Sequence, residues 1–192
     1  MDKLSGTLNE RESLQLIREM IDKAKNDLGA QAFYPILWGW IVLIGSLGHF
    51  LLLRHSSFER PYMVWLIIII GIIGSIAKGY NQRKTTSAST YSSTIVAVVW
   101  VVFLVNYFIL LPFIDEINFL VGPIVLLMSG GSIFLCGFIL KFKPFYFGGI
   151  FTWIMAIVAF MVSMEFQLLV SAAAVLFGLL IPGYILKNGK EQ

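Results

Sequence analysis

Two polar side chains that could do chemistry stand inside long apolar runs of this sequence. Asn106 lies within residues 94–114, and His49 lies near the end of residues 32–53. A polar group in such a run either lines a solute path or bonds a neighbouring helix, and we expect the second for Asn106. His49 could exchange a proton or bind a metal ion if carboxylates approach it.

The carboxylates that could meet His49 lie at the ends of apolar runs. Asp115, Glu116 and Glu165 are predicted to form an acidic cluster on one face of the molecule, where the first run also ends. Their spacing matches no metal-binding motif, and Asp115 and Glu116 are also placed to cap the following helix. We therefore expect no metal ion and no other cofactor.

The rest of the sequence carries no catalytic set. His49 and His55 are the only histidines, and neither stands with an acid and a nucleophile deep in an apolar run. There is no Gly-rich phosphate loop and no HExxH motif. The sequence predicts a protein that is not an enzyme, with a lipid-modifying enzyme active at the membrane interface as an alternative.

Composition determines the elements that carry these residues. Of the 192 residues, 58% are hydrophobic and 13% are charged, against about 25% charged in soluble domains. Six apolar runs are each close to the length needed to cross a bilayer as a helix: 32–53, 61–77, 94–114, 117–140, 145–164 and 166–186. Lipid offers the backbone no hydrogen-bond partner, so the sequence predicts an all-α polytopic membrane protein with six transmembrane helices.

Basic residues are divided unevenly between the two sides of this topology. Twelve of the 14 Lys and Arg residues lie in the N-terminal segment, the second and fourth loops and the C-terminal tail, whereas Arg54 and Arg60 lie in the first loop. The positive-inside rule then predicts cytoplasmic N- and C-termini. A basic face against an anionic leaflet explains this charge without nucleic acid, which we do not expect as a partner.

The second, fourth and sixth runs end alike. Each closes with a glycine, an aromatic residue and, three residues later, a base: Gly79, Tyr80 and Arg83; Gly137, Phe138 and Lys141; Gly183, Tyr184 and Lys187. We interpret residues 32–186 as three consecutive helical hairpins, which either share an ancestor or converged on the residues that interfaces favour.

Small residues and prolines predict how the helices meet. Gly71 with Ser75, and Gly148 with Thr152, stand four residues apart and should allow close helix contacts. Pro182 lies inside the sixth run and should bend or end that helix.

An amphipathic helix is predicted in residues 1–31, ahead of the bundle. Its apolar stripe consists of Leu14, Ile17, Ile21, Ala24 and Leu28. The membrane surface, the protein's own loops or a partner helix could cover this stripe, and the partner could be a cytoplasmic protein or a second copy of the chain. Residues 187–192 form a short cytoplasmic tail.

Three stretches carry a resemblance to a known group of proteins: ESLQLIREMIDKAK, FYPILWGWIVLIGSLGHFLLL and LLIPGYILK. Together they resemble a family of small, uncharacterised bacterial inner-membrane proteins with six spans. The resemblance implies a bacterial inner (plasma) membrane and no functional residues. We expect a non-enzymatic scaffold or regulatory membrane protein, with a small-solute or ion transporter as the alternative.

Overall fold

The computed structural model describes residues 14–15, 31–55, 60–85, 91–118 and 120–189. Every regular element in these ranges is helical, which confirms the all-α fold class there. The principal helices are α1 (Phe33–His55), α2 (Ile67–Thr85), α3 (Tyr91–Leu110), α4 (Val121–Leu140), α5 (Lys143–Met161), α6 (Met164–Val175) and α7 (Ile181–Asn188). A 3₁₀ segment precedes α2 (Pro61–Leu66), another follows α3 (Leu111–Phe113), and a π-helical segment, Leu176–Leu180, joins α6 to α7.

Six helical stretches in the described ranges are long and apolar enough to cross a membrane. They are Phe33–His55, Pro61–Asn81, Ser92–Phe113, Val121–Leu140, Lys143–Met161 and Met164–Asn188. The six predicted runs match them in number and order. The ends differ by a few residues, because helices continue past their apolar core into polar residues such as Lys78 and Asn81.

The helices pack in the order α2, α1, α6 with α7, α5, α4 and α3. The most extensive contact joins α4 to α5, α1 packs along α6 and α7, and α2 and α3 are added at the two ends of the series. No substantial contact between α2 and α3 is found in the described ranges. The three-hairpin repeat stays a prediction, and the α4–α5 contact joins helices that it assigns to different hairpins.

The α4–α5 pair is close because its turn is very short. Lys141 adopts the left-handed conformation, with φ 52° and ψ 36°, and the Phe142 amide donates to the Gly137 carbonyl at 3.0 Å. This arrangement satisfies carbonyls at the end of a helix and reverses the chain within two residues. A Cβ on Gly137 would lie 2.8 Å from the Tyr146 amide nitrogen, so the backbones meet directly.

The centre of the bundle is built from small side chains. One buried cluster comprises Leu126 of α4, Ala156 and Ala159 of α5, and Ala174 of α6. Since lipid tails are as apolar as leucine, transmembrane helices associate through close packing, which alanine and glycine permit. The predicted small-residue contacts are confirmed at Gly71, where a Cβ would lie 2.5 Å from Ile41 Cδ1.

The closest crossing joins α5 to the π-helical segment. A Cβ on Gly148 would collide with the Gly178 carbonyl oxygen, and one on Gly178 would collide with Thr152 Oγ1. Pro182 has no amide that could bond the Gly178 carbonyl in α-helical geometry, and that oxygen lies at the contact with α5. The helix nevertheless continues beyond Pro182 to Asn188, so Pro182 does not end it.

Candidate functional site

Asn106 lies on the outer surface of α3. Its Nδ2 donates to the Val102 carbonyl of its own helix at 2.9 Å, and the residue is exposed. Within the described part of this chain, the side chain thus neither lines a closed path nor bonds another helix.

His49 is buried between α1 and the start of the second span. Only 8% of its surface is exposed, and its Nδ1 accepts a hydrogen bond of 3.1 Å from the Trp65 indole. Accepting at Nδ1 places the proton of a neutral imidazole on Nε2. The Trp65 ring also packs against Gly45, where a Cβ would lie 3.1 Å from the ring. His49 therefore contributes to the contact between α1 and the 3₁₀ segment that precedes α2.

The three carboxylates of the predicted acidic cluster are all exposed. Asp115 and Glu116 lie in the turns between α3 and α4, and Glu165 lies in the first turn of α6. No group of three or more His, Cys, Asp or Glu side chains that could hold a metal ion occurs among the residues the structure describes. The metal interpretation of His49 and these acids thus gains no support.

Most of the predicted N-terminal stripe lies outside the described residues. Ile17, Ile21, Ala24 and Leu28 are in this group. Leu14 is described: it is helical, and 66% of its surface is exposed. The bundle therefore leaves the first apolar residue of the stripe uncovered.

Tryptophan hydrogen bonds between helices were not expected from the sequence. Trp38 donates to Ser75 Oγ at 3.1 Å, Trp40 donates to the Tyr184 hydroxyl at 3.0 Å, and Trp153 donates to the Leu127 carbonyl at 3.0 Å. The indole N–H only donates, and in an apolar medium it needs an acceptor. A tryptophan well inside an apolar run was the signal for these contacts, although it did not identify the acceptor.

Besides His49, four polar residues are buried among the described residues: Ser46, Ser132, Thr152 and Gln167. Thr152 Oγ1 donates to the Gly148 carbonyl at 2.8 Å, at the α5 crossing. Ser46 is fully buried, and its Oγ has no hydrogen-bond partner among the described residues. Ser46 precedes His49 by three residues on α1, so these two buried polar residues lie on the same side of that helix.

The chain was compared with family models, with curated proteins and with solved structures. No family model, no curated protein and no solved structure matches the chain.

Proposed function

We propose that this protein is a non-enzymatic scaffold or regulatory protein of a bacterial inner membrane, with both termini in the cytoplasm. Six apolar helical stretches support membrane insertion. The concentration of Lys and Arg in alternate polar segments supports the orientation, because cytoplasmic loops carry such an excess. The bacterial membrane is proposed from the resemblance of three sequence stretches to a family of small inner-membrane proteins.

Leu14 is the observation that carries the proposed role. Leu14 is helical and 66% exposed, as expected for the first residue of an amphipathic stripe that contacts something outside the bundle. Helix packing meanwhile uses polar side chains within the spans, as in the bonds from Trp65 to His49 and from Trp38 to Ser75. We propose that the N-terminal helix contacts the membrane surface or a cytoplasmic partner through its apolar stripe.

The test alters the stripe in the full-length protein. A double variant, Ile17→Asp with Ile21→Asp, should release the N-terminal helix from the membrane or from its partner. Release from the membrane is measured as loss of quenching, by spin-labelled lipids, of a fluorophore on residue 14. Release from a partner is measured as loss of a defined cross-linked product. For this labelling, Leu14→Cys is made in a background with Cys136→Ala. The control, Gln15→Asp with Asn26→Asp, adds the same charge on the polar face. Equal behaviour of both variants, or no effect of deleting residues 1–28, would contradict the proposal.

Transport of a small solute or ion is the second candidate. The π-helical segment Leu176–Leu180 favours it, since π-helical turns within α-helices are frequent at functional sites. Flux through vesicles that contain the purified protein, measured over a panel of ions and small metabolites, tests it. Absence of protein-dependent flux for the whole panel would count against transport.

A further inference from the structure

Helix α3 is the least covered span of the molecule. None of its apolar window is buried, whereas between 28% and 39% is buried in the first, fourth, fifth and sixth spans. In a bilayer, acyl chains can cover exposed valine, isoleucine and phenylalanine. They cannot satisfy an amide, and Asn106 is exposed on this helix.

The Asn106 amide has unused hydrogen-bonding capacity. An asparagine side chain has two N–H donors and one carbonyl acceptor, and here one donor bonds the Val102 carbonyl at 2.9 Å. Asn106 precedes Phe113 by seven residues, about 10 Å along a helix, which places the amide within the hydrocarbon when α3 spans the membrane. An amide that still has one donor and its acceptor available at that depth favours a partner that can both donate and accept.

The residues beside Asn106 form an apolar stripe with coiled-coil spacing. Val102, Ile109 and Phe113 are separated from Asn106 by four, three and seven residues, and they are 54%, 59% and 53% exposed. A single asparagine within such a stripe is the arrangement that fixes register and oligomeric state in coiled coils. We call these four residues, Val102, Asn106, Ile109 and Phe113, the Asn106 face.

We propose that a second copy of this chain packs along the Asn106 face, with the two Asn106 side chains hydrogen-bonded to each other. Copies inserted in one orientation place Asn106 at the same depth, so a two-fold axis normal to the membrane brings amide to amide. Each carbonyl oxygen then accepts from the other side chain. An unrelated partner would need a polar group at that depth, which a second copy supplies by symmetry.

The second-least-covered span offers no comparable group. The exposed residues along the middle of α2 are apolar, among them Ile69, Ile70, Ile73 and Ile76. Lipid satisfies such a surface, so exposure alone does not indicate a partner there. The amide makes the Asn106 face different, and the proposal does not depend on what the N-terminal helix binds.

Disulfide cross-linking of the full-length protein in membranes tests this interface. Cys136, the single cysteine of the chain, is buried in α4 and is first replaced by alanine. Ile109→Cys and, separately, Val102→Cys then place a thiol on the Asn106 face. Leu104→Cys is the control, because Leu104 is 40% exposed and lies about 160° around the helix from Asn106. We expect covalent dimers from residues 102 and 109 and few from residue 104.

The amide is tested in the Ile109→Cys protein. Asn106→Leu should weaken dimerisation about tenfold when the protein is diluted with lipid, and Asn106→Gln, which keeps an amide, should retain most of it. Thermal unfolding in detergent should be unchanged, since Asn106 is exposed and its side chain bonds a carbonyl of its own helix. Equal cross-linking at residues 104 and 109, no dimer at either face position, or no effect of Asn106→Leu would overturn the proposal.

Discussion

At the scale of single residues, tryptophans provide much of the polar bonding between helices. Trp38 and Trp65 link α1 to the second span, Trp40 links α1 to α7, and Trp153 links α5 to α4. Three of these rings, those of Trp38, Trp65 and Trp153, also fill space beside glycines; a Cβ on Gly130 would lie 2.6 Å from the Trp153 ring. A tryptophan side chain thus contributes both ring packing and an indole hydrogen bond, and substitutions can remove the two contributions separately.

Trp65→Phe removes the hydrogen bond to His49 but keeps an aromatic ring at the same position. The phenyl ring retains most of the packing on Gly45, but His49 Nδ1 loses its donor, a bond of 3.1 Å in the native protein. We expect a loss of about 1 kcal/mol in the free energy of unfolding. Reversible denaturation in mixed micelles measures it. Tyr62→Phe, on the exposed face of the same 3₁₀ segment, is the control and should change nothing; an equal loss there would refute the role of the bond.

Gly148→Ala tests the α5 crossing. The added methyl group would meet the Gly178 carbonyl oxygen, and backbone cannot move aside as a side chain can. We expect a destabilisation of about 2 kcal/mol or more, measured as a lower unfolding midpoint. Gly131→Ala is matched, since its Cβ would lie 3.8 Å from Trp153, an ordinary contact. Alanine favours a helix over glycine, so Gly131→Ala should be neutral or slightly stabilising.

At the scale of elements, α2 depends mainly on α1 for its position. Three close approaches hold the pair: Gly71 to Ile41, Gly74 to Leu37, and Ser75 to the Trp38 indole. Only 6% of the second span is buried. Lipid-facing apolar surface does not drive it back onto the bundle, so these contacts decide its placement.

Gly71→Leu should therefore detach α2 while the rest of the bundle stays folded. The new side chain would occupy the position of Ile41 Cδ1, which lies 2.5 Å from a Cβ built at residue 71. We expect faster amide hydrogen exchange within residues 61–81 and unchanged exchange in α4 and α5. Ala77→Leu adds the same kind of bulk on the exposed face of α2 and should have no effect. Faster amide exchange throughout the molecule would contradict the claim that the rest of the bundle stays folded without α2.

Sequence reasoning identified the elements better than their contacts. Hydrophobic length determines how many helices can span, so six runs were predictable before any contact was known. The π-helical turn before Pro182 was not predictable. A proline within a helix removes one backbone hydrogen bond, but the sequence does not say how the helix adjusts to that loss. The partner of His49 was missed for another reason: Trp65 lies in a different span, and one sequence does not reveal which helices meet.

At the scale of the whole molecule, the order of packing constrains its shape. α2 and α3 occupy the two ends of the packing order, yet Thr85 and Tyr91, where one ends and the other begins, are six residues apart in sequence. A chain of that length spans at most about 20 Å. The series of helices must therefore curve until its two ends approach at that side, although α2 and α3 make no substantial contact in the described ranges.

Labelling of single cysteines tests how the whole molecule is oriented in the membrane. In a background with Cys136→Ala, Asp115→Cys and Lys141→Cys should react with a membrane-impermeant maleimide from opposite sides of the membrane. Asp115 follows α3 and Lys141 follows α4, and both are exposed. In the proposed orientation, which rests on the excess of basic residues, Lys141 lies in the cytoplasm. Labelling of both residues from one side would refute the six-span topology and the proposed location of the N-terminal helix.

The meeting of Gly148 with Gly178 also affects how selection would act on this protein. Every nonsynonymous codon change at either position adds a Cβ, and in each case that atom would collide with α5 or with the π-helical turn. Both positions should therefore rank among the least permissive in a saturation mutagenesis map, although neither carries a reactive group. Their intolerance would resemble that of catalytic residues, while its origin would be the space between two backbones.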